Sequence, residues 1–214
     1  MRKKVKKKPN NSAIVINALR RALRMESDFQ DELLRDLIDR SVAIGENYTG
    51  RSFITQTHIV YYDNREIFTK NNRSQQNCDG LSSYAQNFGV RDDSILELPV
   101  APIQSITEIE TYGQDSTPTI IDSGSYYLDN YSDDDYARIV FSDGLPSIDR
   151  RENSMSIEYI SGYGNSENDL PVGLIGAIVN LCVYMFSNDG CPDYEVMKNS
   201  NGMHLFKPYK IKQV

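Results

Sequence analysis

The side chains best able to do chemistry in this chain are two carboxylate runs, two histidines, three cysteines and a block of lysines. Asp92-Asp93 and Asp133-Asp134-Asp135 put acids side by side, as a cation site needs. A calcium loop wants acids at alternate positions, a glycine for the sharp turn and a bidentate Glu at its twelfth position, and neither run has that spacing. Both runs sit beside turn residues and read as solvated loops. His58 falls in a strand pattern and His204 in the tail, and with Cys78, Cys182 and Cys191 they make no metal-type spacing. His58 reads as a sheet-face residue. Cys182 lies in an apolar helical run, where a thiol behaves as a small hydrophobe. The cysteine usage suits a reducing compartment during assembly. No G-x-S-x-G marks a serine nucleophile, and Gly162-Tyr163-Gly164 ends a strand without continuing into a phosphate loop. The expectation is a chain with no catalytic residues, no metal and no cofactor.

The lysines are a different matter. Six of the first eight residues are basic (Arg2, Lys3, Lys4, Lys6, Lys7, Lys8), while the whole chain carries a formal charge of −7. Removing those six leaves −7 − 6 = −13, so a basic arm is joined to an acidic body. Residues 1–11 read as a disordered arm. Lys3, Lys4, Lys6, Lys7 and Lys8 are candidate nucleic-acid contacts, because clustered lysines neutralise phosphate without regard to sequence; the other reading is a solvated tail. Hydrophobic residues make up 39% of the chain, with no Trp and 14 Tyr, which favours protein contact over a large apolar core. Pro9-Asn10-Asn11 stands where the apolar region of a signal peptide would start. The longest apolar run, Leu174 to Phe186, falls short of the roughly 20 residues of a membrane span.

These groups must be positioned by helices and strands. Ala13 to Met25 reads as a short helix with Arg20, Arg21 and Arg24 on its polar side. From Ser27 the pattern is a longer helix: Ser27 or Asp28 as cap, Asp31 and Glu32 in the first turns, and Phe29, Leu33, Leu34, Leu37, Ile38, Val42, Ile44 and Tyr48 at three-and-four spacing. Gly50 ends it. From Phe53 to Tyr62 the period switches to two, as in a strand. Asn64 to Ser94 is a long polar excursion. Further strands are expected at Ile95 to Leu98, Ile103 to Tyr112 (with a bulge near Ile106), Tyr126 to Leu128, Ala137 to Phe141 and Met155 to Ile160, as one folded antiparallel sheet or a small sandwich. Leu170-Pro171 opens a last helix, Val172 to Phe186, apolar almost all round. The first two helices can cover one side and a neighbouring subunit the other, which makes Leu174, Ile178, Leu181 and Met185 candidate subunit-interface residues. Pro208 argues against a continuous helix in the tail, so His204 to Val214 reads as an extended arm. The fold class is α+β: a helical bundle (12–52 and 170–190), an inserted antiparallel β domain (53–164, with the excursion at about 64–94), and arms at 1–11 and 191–214.

Glu46-Asn47-Tyr48-Thr49-Gly50-Arg51-Ser52-Phe53-Ile54-Thr55-Gln56-Thr57 resembles the helix-to-strand junction of tailed-phage head–tail adaptor (connector, or head-completion) proteins, a family also found in gene-transfer agents. The likeness continues in order through Leu96-Glu97-Leu98-Pro99-Val100-Ala101-Pro102-Ile103-Gln104-Ser105-Ile106, Tyr126-Tyr127-Leu128-Asp129, Arg138-Ile139, Ile157 to Gly164 with Leu170-Pro171, and Leu205 to Lys210. It spans most of residues 13–214. The basic arm and the length of the polar excursion depart from the family pattern. The resemblance implies a non-enzymatic ring, commonly of twelve subunits, in the virion neck, assembled in the host cytoplasm. It implies a portal protein and a stopper or tail component as partners, genome DNA passing non-specifically through the lumen, and no membrane. It also implies portal binding by the C-terminal arm: Leu205, Phe206, Lys207, Pro208, Tyr209 and Lys210. Two alternatives stand beside it, another neck component (a stopper or tail-completion protein) and a DNA-binding accessory protein using the Lys-rich arm.

Overall fold

The computed structural model describes residues 2–7, 15–25, 30–63, 94–129, 137–188 and 201–211. The carboxylate runs at 92–93 and 133–135, Ser27, Asp28, Phe29, Cys78, Cys191, Lys8 and nearly all of the polar excursion lie outside them. The chain divides into two compact units. One, Met1–Lys7 with Gln56–Pro99 and Ile103–Ser161, holds the strands, and the other, Lys8–Thr55 with Val100–Pro102 and Gly162–Val214, holds the helices. The class is α+β, as the sequence predicts.

In the helical unit, α1 (Ile16–Leu23) and α2 (Asp31–Thr49) come first. The Arg20 guanidinium donates through Nε to Asp31 Oδ1 at 2.9 Å and through Nη2 to Asp31 Oδ2, joining the two helices and holding the Asp31 carboxyl below its ordinary pKa. Asp31 and Glu32 occupy the first turn of α2. Leu34, Leu37, Ile38 and Val42 are buried, whereas Leu33 faces outward and is 47% exposed. Gly50 closes α2 with φ of 74° and donates to the Glu46 carbonyl, the left-handed stop its lack of a Cβ permits. Helix α3 spans Val172–Ser187 and α4 spans Asn201–Phe206, followed by a 3-10 turn at Lys207–Tyr209.

The tail is therefore helical where an extended arm is expected, and this changes the reading of α3. Leu174, Ile178 and Leu181 are 0% exposed and Met185 is 1% exposed, inside the chain's own core with Leu19, Leu34, Ile38, Met203 and Phe206. They are not available as a subunit interface. The cover assigned to a neighbouring subunit comes from α4, whose Gly202 lies so close to α3 that a Cβ there would fall 2.9 Å from the Leu181 backbone nitrogen. The large hydrophobic residue that α3 leaves exposed is Val172, at 84%.

The β unit contains β1 (Arg2–Lys7), β2 (Gln56–Tyr62), β3 (Ile95–Leu98), β4 (Ile103–Tyr112), β5 (Pro118–Ile120), β6 (Tyr126–Asp129), β7 (Ala137–Phe141) and β8 (Met155–Ser161). They make an antiparallel sheet of order β1-β2-β8-β4-β5 and a second of order β3-β7-β6. Two strands were not legible from periodicity. The basic residues 2–7, expected in a disordered arm, form the edge strand β1, and β5 is a three-residue edge strand beginning with Pro118, a placement that leaves no ladder donor missing. The expected irregularity in β4 is present, as register shifts between Ile103/Ser105 and Ile106/Glu108.

One face of the large sheet is internal. Gln56, His58, Val60 and Tyr62 on β2 lie opposite Ser161, Tyr159, Ile157 and Met155 on β8, and all eight are buried. The Tyr62 hydroxyl donates to the Glu97 carbonyl at 2.7 Å and so ties β2 to β3 of the other sheet. His58 stacks on Tyr159 with ring centroids 5.5 Å apart. Burial, with a smaller contribution from the Lys3 charge, lowers the His58 pKa to about 4.

Because the folded pKa lies below the unfolded value near 6.5, the stability linked to His58 is fully present above that value and is lost as pH falls toward 4. Wild type should lose on the order of 2 kcal/mol by pH 5 through this one group. Urea unfolding at pH 7 and pH 5 checks it: His58→Gln should show a pH dependence smaller by about that amount, and an unchanged dependence would remove His58 as its source.

Candidate docking site at the helix-to-strand junction

The residues that carry the likeness at positions 46–57 build a receptor for the chain's own C-terminal segment. The junction is first made rigid. The Phe53 backbone N–H donates to the Glu46 carboxylate at 2.7 Å, and the Thr49 hydroxyl donates to the Gly45 carbonyl at 2.8 Å while accepting from the Arg51 N–H at 3.2 Å. Residues 51–55 then run between two other segments of the helical unit. Arg51 bridges Ala101, the Ser52 N–H donates to the Ala101 carbonyl, the Tyr163 N–H donates to the Phe53 carbonyl, and the Thr55 N–H donates to the Gly164 carbonyl. Gly162, at φ of 129°, donates to the Pro102 carbonyl, and a Cβ on it would fall 2.5 Å from the Ile54 carbonyl. A side chain cannot be placed there.

Onto this frame the segment 203–211 is fastened by contacts of four kinds. Phe206 stacks on Phe53 with centroids 5.7 Å apart and is 0% exposed. The buried Arg51 donates from Nε to the Tyr209 carbonyl at 2.6 Å. The Ile211 N–H donates to the Thr49 carbonyl at 2.8 Å, which satisfies one of the carbonyls a helix end leaves without an intrahelical partner. The Lys210 ammonium lies 5.2 Å from the centre of the Tyr48 ring, within cation–π range. Gly45 makes room for the two aromatic rings: a Cβ there would sit 2.7 Å from Phe53 and 2.8 Å from Phe206.

The residues expected to bind a portal are thus split. Phe206 is a core residue and is not available to a partner, a correction that follows from the tail folding back as a helix. Leu205, Lys207, Pro208 and Lys210 are exposed and Tyr209 is half-buried. Lys3, Lys4, Lys6 and Lys7 stand on β1 rather than on an arm. Gly45 and Arg51, which hold the tail, were given no role from sequence. The available signal was Gly45 itself, since a glycine inside an otherwise regular helix costs about 1 kcal/mol against Ala and usually has a packing reason.

Cys182 is buried with its sulfur 3.1 Å from the Ser41 hydroxyl, and burial pushes its pKa up to about 11, which keeps the thiol protonated and unreactive. Among the described residues no group of three or more His, Cys, Asp or Glu side chains is placed to hold a metal ion, and no helix is long and apolar enough to cross a membrane.

Comparison with known proteins locates the fold. No protein-family model and no curated protein matches the sequence. Among solved structures, the chain is similar to one in the neck of an empty gene-transfer-agent (GTA) particle computed with C6 symmetry, with a TM-score of 0.72, 16% identity, and coverage of 100% of this chain and 97% of that one. It is similarly like a chain of the native GTA virion (TM-score 0.70, 17% identity, the same coverage) and one of the native GTA neck computed with C12 symmetry (0.69, 16%, the same coverage). At these identities the correspondence is one of fold, and it extends over the whole chain.

Emptying the aromatic slot should be costly and local to the helical unit. Phe206→Ala should lower stability by about 3–5 kcal/mol, as a fully buried aromatic does, and Gly45→Ala by about 1–3 kcal/mol through overpacking. Thermal unfolding followed by circular dichroism reads both; a Phe206→Ala melting curve like wild type would mean the tail is not anchored there.

Proposed function

We propose that the chain is a structural subunit of a virion or GTA neck, acting as the head–tail adaptor: a ring, commonly of twelve subunits, seated under the portal and handing on to the next neck or tail component. The observation that carries this reading is the match of fold along the entire chain to chains in GTA necks, one of them computed with C12 symmetry. The ordered resemblance of most of residues 13–214 to adaptor proteins supports it as well. In this reading the chain works by shape and contact rather than by catalysis, and genome DNA passes the ring without being gripped.

The portal-facing surface is then the outer side of the docked tail, Leu205, Lys207, Pro208 and Lys210 with the exposed part of Tyr209. The receptor beneath holds those residues at fixed spacing, so they meet a partner already ordered, which lowers the entropic cost of association. The helix–strand junction is the scaffold of the binding surface rather than the surface itself.

Cutting the tail off would also remove Phe206 from the core, so the test uses outward-facing substitutions. Purified protein mixed with its cognate portal and imaged by negative stain should show rings seated on the portal. Leu205→Glu with Lys207→Glu should abolish seating while leaving the melting temperature within a few degrees of wild type. Portal binding that survives this double substitution would move the surface elsewhere, and intact protein that never seats on portal would overturn the adaptor reading.

A further inference from the structure

The sequence of β1, Arg-Lys-Lys-Val-Lys-Lys, is a poor candidate for a strand. Five of its six side chains carry positive charge and repel one another, and its one apolar residue, Val5, is only half-buried. It is nevertheless the edge strand of the large sheet, antiparallel to β2 with Arg2 opposite Tyr61, Lys4 opposite Ile59 and Val5 opposite His58. Its ladder is interrupted by a register shift between Val5 and Lys7. Backbone pairing on one side and one partly covered valine are a slender hold for an edge strand.

The remainder of the hold is electrostatic. On the face of the sheet that carries Lys4 and Ile59, the next strands present Glu158 on β8 and Glu108 on β4 directly opposite one another, with Glu110 two residues along. Like charges directly opposite on paired strands are destabilising, so this face needs a cation. Lys6 supplies it, its ammonium lying 3.0 and 2.8 Å from the two Glu158 oxygens. Glu158, Glu108 and Glu110 together hold its pKa above the ordinary lysine value. At the other end of the strand Arg2 reaches Glu152 at 3.5 Å. Carboxylates of β8 and of the turn before it, about 150 residues away in sequence, thus stand where the phosphates of a nucleic acid would stand for a bare basic arm.

We propose that β1 is an exchangeable basic strand, held on the sheet edge by Glu158 and Glu152 with Glu108 and Glu110 behind them, and that duplex DNA competes with these carboxylates for its cations and draws it off β2. The contact is autoinhibitory: it masks a segment whose composition would otherwise bind nucleic acid. Both competing interactions set an exposed ammonium or guanidinium against anions, a partly buried carboxylate at Glu158 and an exposed one at Glu152, and a polymer presenting many phosphates at once wins when it is near. Lysine supplies point charge without base readout, so the affinity is independent of sequence. This proposal does not rest on the adaptor reading and can fail or succeed without it.

The test uses the full chain and a short fluorescent blunt-ended DNA duplex at low salt. Hydrogen exchange of the wild type should show faster exchange at residues 56–62 and 2–7 when duplex is added. Fluorescence anisotropy should show that Glu158→Gln binds the duplex at least about two- to fivefold tighter than wild type, the range set by losing a surface ion pair. Glu97→Gln, an exposed change of equal charge on β3, is the control and should leave affinity nearly unchanged. No measurable duplex binding by either wild type or Glu158→Gln would overturn the proposal. So would duplex binding without faster exchange at residues 56–62, or equal gains from the two substitutions. Wild-type exchange data decide the matter even if Glu158→Gln folds poorly.

Discussion

The helical unit depends on one close approach, Phe206 lying on Phe53 over a helix position that has no side chain. A β-carbon at Gly45 would intrude on both rings, so the rings lie this close to the helix because residue 45 is glycine. Its consequences reach both ways along the chain. Toward the N-terminus it fixes the end of α2 against the start of the segment that feeds β2. Toward the C-terminus it pins α4 to α3, and with α4 in place the most apolar helix of the chain is covered from within. Arg51 and Thr49 add directional hydrogen bonds to Tyr209 and Ile211, but they can do so only because the aromatic pair has already brought those backbone groups within reach. Dispersion and burial set the position here, and hydrogen bonds set the register.

That order of dependence explains what sequence reading reached and what it missed. Helix α2, its Gly50 stop, the switch to a strand period, the bulge in β4 and the α+β class all follow from local periodicity or from a single residue's backbone freedom, and periodicity is written in the sequence. The tail helix is not so written. Asn201–Phe206 is six residues long, too short to be stable alone, and exists because Phe206 has a slot at Phe53 and Gly45, far upstream in the sequence. Pro208 does stop the helix, as expected; what it stops is a helix rather than an arm. The strand β1 escaped for the same reason. A run of like charges is correctly read as disfavouring order until opposite charges are brought to it by chain crossings that composition does not reveal.

The misassignment of Leu174, Ile178, Leu181 and Met185 is instructive in the same way. The premise was sound: a short helix apolar on every side must be covered on every side. Only the source of the cover was wrong. An inventory of apolar surface cannot tell whether the covering element comes from a second molecule or from a segment of the same chain that its own residues seem to exclude. Val172, at 84% exposed, is the large apolar residue of α3 that stays exposed, while Ile175, Val179, Val183 and Phe186 remain only partly buried along the helix.

Charge segregation takes on a different sense once the strands are placed. Read along the chain, six cations at one end and a net −13 elsewhere describe an arm and a body with separate partners. Read across the sheet, part of that basic segment and part of that acidic body are each other's partner, with Lys6 standing on Glu158 and Arg2 beside Glu152. The Arg2–Glu152 pair is exposed on both sides and the Lys6–Glu158 pair on its lysine side, and surface pairs of this kind contribute little to stability singly and weaken with salt. Their value lies in being replaceable: an apolar edge strand, once seated, would be expensive to remove, whereas a strand seated by exposed charge can be exchanged for any polyanion that offers equal charge at closer spacing. Keeping this basic segment occupied by the chain's own carboxylates masks its charge while leaving it available on demand.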